Sequence, residues 1–277
     1  MAKETLLITG AAGGVATQIR PYLRQRYHLV LSDRTAPIAD IQDGESWQTA
    51  DLTDRGALSQ LVDGVAGVVH LGGQSVEADW ATVRDANFDG LFNILEACRE
   101  KSVKRFIFAS SNHAMGFYPR AETVGVDRPV RPDGYYGVSK AFGEAICSLY
   151  ADKHGMRILS VRIGNIGPKP LDARRLAIWL HPEDFVSLVE IGLTHPDIHH
   201  AIVYGASDNA RGWWDTRAAA ALGYVPKHRS EDFKDEALAA QAELPADPIG
   251  DLFQGGTFAS HDFDGDLDRS LKARQPE

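Results

Sequence analysis

Short apolar runs rich in β-branched residues alternate, along the first half of the chain, with stretches whose apolar positions recur at helical spacing. A continuous apolar run suits a strand covered on both faces, and a 3.6-residue period marks a helix with one buried side. The runs predict strands over 5–9, 28–32, 67–71, 105–110, 157–163 and 201–204, with helices over about 14–26, 55–62, 80–100, 136–154 and 182–192. Regular strand-helix alternation of this kind yields an α/β fold, a doubly wound parallel sheet with helices on both faces. After Ile163 the regularity breaks into Gly164-Asn165-Ile166-Gly167-Pro168-Lys169-Pro170, a loop leaving the end of a strand. The chain therefore divides into a sheet domain over 1–166, to which the strand at 201–204 returns, and a small C-terminal cap over 167–277 that includes the helix at 182–192. The acidic stretch 261–268 reads as a solvated end.

Composition narrows the class. With 277 residues, 44% hydrophobic and 24% charged, the chain can bury a sizeable core and lacks the signature of disorder. No apolar run reaches membrane-spanning length, and Met1-Ala2-Lys3-Glu4 leads straight into the first strand without a secretory core, so a cytoplasmic protein with no membrane partner is expected. Cys98 and Cys147 each fall inside a predicted amphipathic helix, which excludes a disulfide framework and leaves no metal site to propose. A formal charge of −9 repels nucleic-acid phosphates and anionic lipid; Arg174-Arg175 is a possible local exception.

The first strand ends in Thr9-Gly10-Ala11-Ala12-Gly13-Gly14-Val15-Ala16, which opens the first helix. A dinucleotide pyrophosphate binds free backbone N–H groups at such a place, and the spacing Gly10-x-x-Gly13-x-x-Ala16 is an accepted form of the Rossmann fingerprint. Taken alone, the turn could equally be a plain strand-to-helix connection. Asp33, at the end of the second strand, shifts the balance, because a carboxylate there accepts both ribose hydroxyls of NAD and repels a 2′-phosphate. Arg34 beside it is able to pair with that phosphate, so NAD is favoured and some use of NADP stays open. Asp51-Leu52 follows a third short apolar stretch, and Asp51 is read either as a partner of the adenine amino group or as a helix cap. Leu71-Gly72-Gly73 brings bare backbone to the crevice edge, either to admit the cofactor or simply to make a tight turn.

Tyr136 and Lys140 lie four residues apart, on one face of a helix. A phenol is a poor base at neutral pH, and a nearby ammonium lowers its pKa; Lys140 is also placed to hold a cofactor ribose. Such a pair occurs on many helices in a packing role. Ser110-Ser111 decides for chemistry, because it directly follows the strand Phe106-Ile107-Phe108-Ala109 and so projects hydroxyls into the same crevice, although strand-end turn chemistry is the plainer use of either serine. Ser111 would hold the reacting oxygen while Tyr136 removes its proton and a hydride leaves for the nicotinamide.

With the Gly10/Gly13 turn, Asp33, the serine pair and Tyr136-x-x-x-Lys140 in place, the chain resembles the extended short-chain dehydrogenase/reductases from residue 4 to at least 166. Within them it is most similar to the uronate dehydrogenases. The blocks that carry this are His70-Leu71-Gly72-Gly73-Gln74-Ser75-Val76-Glu77, Ala109-Ser110-Ser111-Asn112-His113 and Arg131-Pro132-Asp133-Gly134-Tyr135-Tyr136-Gly137-Val138-Ser139-Lys140. Further along come Val161-Arg162-Ile163-Gly164, Arg174 with Trp179, Asp184-Phe185-Val186-Ser187-Leu188, Tyr204-Gly205-Ala206-Ser207, Gly212-Trp213-Trp214-Asp215 and Phe253-Gln254-Gly255-Gly256-Thr257-Phe258. The resemblance implies oxidation of the anomeric carbon of D-galacturonate or D-glucuronate to an aldarolactone, with NAD as acceptor. It assigns Gly10, Gly13, Gly14, Val15, Asp33, Asp51, Leu52, Leu71, Gly72, Gly73, Ser110, Lys140 and Ile163 to the cofactor. Ser75, Ser111, Asn112, His113, Tyr136, Asn165, Arg174 and Phe258 fall to the sugar acid.

Arg174 would grip the carboxylate with two parallel hydrogen bonds, with Arg175 its rival and a surface cation the plainer reading. Ser75 is otherwise a helix cap, His113 a satisfied buried histidine or a prop for the serine loop, and Phe258 core. Asn165 stands where the family would show a serine. A homo-oligomer is expected on the same resemblance. Two other functions fit the scaffold: a nucleotide-sugar epimerase or dehydratase that retains its NAD, against which the short cap argues, and a non-catalytic NAD sensor, against which Ser111, Tyr136 and Lys140 argue.

Overall fold

The computed structural model describes residues 3–272. Its strands are β1 (Thr5–Thr9), β2 (His28–Asp33), β3 (Glu45–Thr49), β4 (Gly67–His70), β5 (Arg105–Ser111), β6 (Arg157–Ile163), β7 (Asn165–Ile166), β8 (Trp179–Leu180) and β9 (His200–Gly205). Seven of them form one parallel sheet in the order β3-β2-β1-β4-β5-β6-β9, and β7 pairs with β8. The order reverses between β1 and β4, which opens a crevice at the carboxyl ends of the strands. The helices are α1 (Gly14–Leu23), α2 (Arg55–Leu61), α3 (Trp80–Val83), α4 (Gly90–Glu100), α5 (Tyr135–His154), α6 (Ala173–Ile178), α7 (Pro182–Thr194), α8 (Arg217–Ala221), α9 (Lys234–Ala242), α10 (Thr257–Ser260) and α11 (Leu267–Lys272). Among the described residues no helix is long and apolar enough to cross a membrane.

Side chains alternate across the sheet. Leu6 and Ile8 enter a core with Ile19 and Leu23 of α1 and with Phe185 and Val189 of α7. Leu7 enters the opposite core with Leu58 of α2, Leu91 and Ile94 of α4, Phe106 and Ile158. Burial on both faces explains why these strands read as apolar runs, and each predicted strand lies within one residue of its observed bounds.

Four elements differ from expectation. The stretch before Asp51 is β3, which is mostly polar because it pairs only with β2 at the sheet edge. The helix expected to reach residue 26 ends at Leu23, whose carbonyl accepts from the N–H groups of Arg26 and Tyr27 as the chain turns into β2. The helix at 80–100 contains a π-helical turn over Arg84–Asp89. Finally, α7 is no cap element, because its apolar face shares the core of β1 and α1.

Candidate active site

A crevice of about 830 Å³ follows the carboxyl edge of the sheet from the start of α1 to α10. At one end Gly13 caps α1 with extended dihedrals and no side-chain hydrogen bond, and Gly14 and Val15 follow it along the crevice wall. Gly10 has φ +69°, and a Cβ there would lie 2.7 Å from Gly72 N, so the two loops meet backbone to backbone. Asp33 lines the wall beside Arg34 and accepts from Ala12 N at 3.1 Å, holding the glycine turn against β2. Asp51 and Leu52 also line it; Asp51 accepts from Thr53 N and Oγ1 at 2.8 and 2.7 Å, and Asp54, not Asp51, caps α2. Leu71, Gly72 and Gly73 reach the crevice as expected. The reason for the glycines is internal, however: a side chain at Gly72 would meet Thr9 Oγ1 at 3.1 Å and one at Gly73 would meet Asn87 Oδ1 at 2.5 Å.

Ser111, Tyr136 and Lys140 line the middle of the crevice together. Lys140 is 7% exposed, and its Nζ donates to Ala109 O at 2.8 Å and lies 5.4 Å from the Tyr136 ring centroid. The expected lowering of the phenol does not appear. Burial pushes Tyr136 up to about 12, with the Ser111 hydroxyl pulling the other way, and burial pushes Lys140 down to about 8. Ser111 Oγ accepts from His113 N at 3.2 Å and donates to Ile163 O at 3.5 Å. Ser110 requires a correction: it lines the crevice, but its hydroxyl donates to buried Glu144 Oε1 at 2.7 Å, away from Ser111. Glu144 in turn binds Arg162 through both oxygens at 2.8 Å, beneath β5.

Towards α10 the wall is formed by His113, Asn165, Arg174 and Phe258, with Ser75 across from the β4 loop. His113 Nδ1 is 2.7 Å from Asp133 Oδ2, and its ring stacks on Phe258 with centroids 3.9 Å apart. Ser75 is exposed and caps no helix; Asp79 caps α3. Arg174 is a half-buried guanidinium whose Nε and Nη2 both donate to Gln254 O, at 3.1 and 2.8 Å. Burial and the neighbouring Arg120 and Arg175 push its pKa down to about 10. Among the described residues no carboxylate forms an ion pair with it, whereas Arg175 is paired to Asp172. Asn112 is 1% exposed and lies behind the wall, its amide donating to Ile163 O at 3.1 Å and accepting from Arg174 Nη2 at 3.3 Å, so it supports Arg174 instead of lining the crevice.

Several supports carried no assigned role in the sequence reading. Glu77 accepts from the N–H groups of Tyr135 and Tyr136 at 2.9 and 3.1 Å, placing a carboxylate at the positive end of the helix that carries the tyrosine. Asn87, in the π-helical turn, binds both backbone groups of Gln74 and Ser139 Oγ; such turns often mark functional sites. Asp133 and Gln254 complete the set. Glu77, Asp133 and Gln254 fall within the distinctive sequence blocks, which was the available signal.

Residues 6–182 match the model of the NAD dependent epimerase/dehydratase family. The chain is 43% identical over 256 residues to the uronate dehydrogenase of Pseudomonas syringae pv. tomato, covering 92% of this chain and 93% of that protein. Its fold is similar to the glucuronic acid dehydrogenase from Chromohalobacter salexigens, at TM-score 0.89 and 41% identity over 94% of this chain and 97% of that one. It is also similar to a mutant uronate dehydrogenase from Agrobacterium tumefaciens solved in complex with NAD, at TM-score 0.88 and 40% identity over 94% and 98% of the two chains. A doubly wound sheet with a bare glycine-capped helix at its switch point, and a family match over most of that sheet, lead to one assignment: the chain belongs to the NAD dependent epimerase/dehydratase family.

Proposed function

We propose that the protein oxidises C1 of D-galacturonate or D-glucuronate, in the ring form, to the aldarolactone, with NAD as hydride acceptor. The observation that carries this reading is Arg174: a half-buried guanidinium on the crevice wall, without an ion-pair partner among the described residues, in the same crevice as Tyr136 and Ser111. A cation so placed suits a carboxylate-bearing substrate. Arg175, already paired, does not.

The residues present fit NAD. The N-terminus of α1 has no side-chain cap, the space beside Gly14 is open, and the Asp33 carboxylate stands at the end of β2. Gly13, Gly14 and Val15 would take the pyrophosphate, Asp33 a ribose, Asp51 and Leu52 the adenine, and Lys140 the second ribose, with Gly10, Leu71 to Gly73, Ser110 and Ile163 as walls. When bound, NAD supplies the hydride acceptor and a positive ring that favours the phenolate. Ser111 Oγ donates to the C1 oxygen. Tyr136 Oη takes the proton of the C1 hydroxyl as the hydride departs, and the C1–O bond becomes the lactone carbonyl. Phe258 and His113 pack beside the sugar, and Asn165 and Ser75 face its hydroxyls. The same reading takes the enzyme to be cytoplasmic and homo-oligomeric.

The test is absorbance of reduced cofactor with D-galacturonate and D-glucuronate, comparing NAD with NADP and wild type with Tyr136→Phe. NADH formation abolished by the substitution is expected. Turnover of glucose or a nucleotide sugar, with neither uronate reacting, would overturn the substrate assignment.

A further inference from the structure

The side chain that reads the carboxylate does not hold itself in place. One edge of the Arg174 guanidinium, Nε with Nη2, is taken by the single carbonyl of Gln254. Asn112 adds a longer contact to Nη2, and Nη1 makes no hydrogen bond to the described residues. Gln254 is itself fully buried. Its Oε1 accepts from Trp214 Nε1 at 3.0 Å, and its Nε2 donates to the carbonyls of Pro119 and Glu122 at 3.2 and 3.0 Å. Around it, Arg120 donates to Phe253 O and Gly250 O, and the N–H groups of Gln254 and Gly255 donate to Tyr118 O and Gly116 O. The turn at 253–256 is thus fastened to the 116–122 loop, which continues directly from the segment that carries Ser111 and His113.

Gly256 completes the arrangement. It has φ +65° and ψ −135°, a region open in practice only to glycine. A Cβ there would lie 2.6 Å from Arg174 Nε, 2.9 Å from Cδ and 3.1 Å from Cζ. All three atoms belong to the arginine side chain, so a larger residue would press on the guanidinium as well as strain the backbone of the turn. Two residues on, Phe258 stacks against His113 and so covers the same end of the crevice.

We propose that the 253–256 turn sets the enzyme's preference for acidic over neutral sugars, with Gln254 and Gly256 acting as positioning residues for Arg174. The inference rests on the carboxylate reading above and names what makes it selective. Recognition of a carboxylate by the remaining Nη1 end depends on the angle of the guanidinium plane as much as on its charge. A change in the turn therefore degrades recognition of the acid while the charge itself remains.

The test compares Gly256→Ala and Gln254→Met with Arg174→Met in the full-length enzyme, measuring kcat/KM for D-galacturonate and for D-galactose, the latter as substrate or as competitor. NAD affinity by calorimetry and thermal unfolding are followed alongside. The ratio of uronate to hexose is expected to fall about ten-fold or more in Gly256→Ala, mainly through KM, and by less in Gln254→Met. A merely structural role would lower both sugars together and leave the ratio intact, and that result overturns the proposal. So does an unchanged ratio in the turn variants while Arg174→Met collapses it, an outcome that leaves the carboxylate reading standing. An unchanged ratio in Arg174→Met removes the carboxylate reading and this inference together. Should Gly256→Ala fail to fold, Gln254→Met decides on the same criterion.

Discussion

Replacing Lys140 by Met should stabilise the protein at neutral pH while removing its activity. The ammonium is 7% exposed and its only hydrogen-bond partner among the described residues is Ala109 O. Burial lowers its pKa from 10.5 to about 8. At roughly 1.4 kcal/mol for each tenfold in the proton equilibrium, keeping that charge costs the folded state about 3 kcal/mol at pH 7. Methionine has a similar length and no charge, but it leaves Ala109 O without its donor, at a cost of about 1 kcal/mol. The net gain is therefore about 2 kcal/mol, or about 3 °C in Tm for a chain of this size.

The sign of the pH dependence follows. Below pH 8 the lysine is protonated in both folded and unfolded chains, and the full penalty applies. Between about 8 and 10.5 the folded protein has lost a proton that the unfolded chain still binds, so wild-type stability rises relative to the variant. Urea unfolding of both proteins from pH 7 to 10 should show the advantage of Lys140→Met shrinking towards zero. A difference that stays flat with pH, or a variant less stable than wild type at pH 7, would refute the argument that the site maintains a costly buried charge for its chemistry.

Glu144→Gln should cost roughly 3–5 kcal/mol in urea unfolding, because it leaves the buried Arg162 guanidinium without its compensating charge beneath β5. Adding Arg162→Met should recover part of that loss, and a single-variant cost below about 1 kcal/mol would show the pair to be dispensable. Asp133→Asn should lower kcat/KM for uronate roughly ten- to a hundred-fold without changing NAD affinity, since it removes a charge-assisted hydrogen bond that fixes His113 on the crevice wall. Steady-state kinetics beside a calorimetric NAD titration checks this, and an equal loss of NAD affinity would place Asp133 in general folding.

The sheet was legible because burial on both faces leaves an apolar mark in most residues of β1, β4, β5 and β6, and the glycine turn because only a few residue types permit it. β3 left no such mark, since an edge strand with one neighbour can be built from Glu45, Gln48 and Thr49. The serine pair shows a signal that was present and unused. Successive residues of a strand point to opposite faces, so the two hydroxyls take different directions even though both residues line the crevice, and that of Ser110 turns to Glu144.

What the sequence does not encode locally is the state of the charges. The four-residue spacing of Tyr136 and Lys140 brings them to one helix face, but the sign of the shift depends on how much water the finished fold removes. Here burial is the largest cause for both groups, raising Tyr136 and lowering Lys140. The same holds for Arg174, whose fastening carbonyl at Gln254 lies 80 residues away along the chain. A motif can name the base and the cation because those are residue types at a spacing. The groups that hold them in place, Glu77 at the helix start, Asp133 behind the histidine and Gly256 beside the guanidinium, are selected by contacts that exist only once the chain has folded. Substitutions at these supports are therefore the sharpest test of whether the crevice works as its geometry indicates.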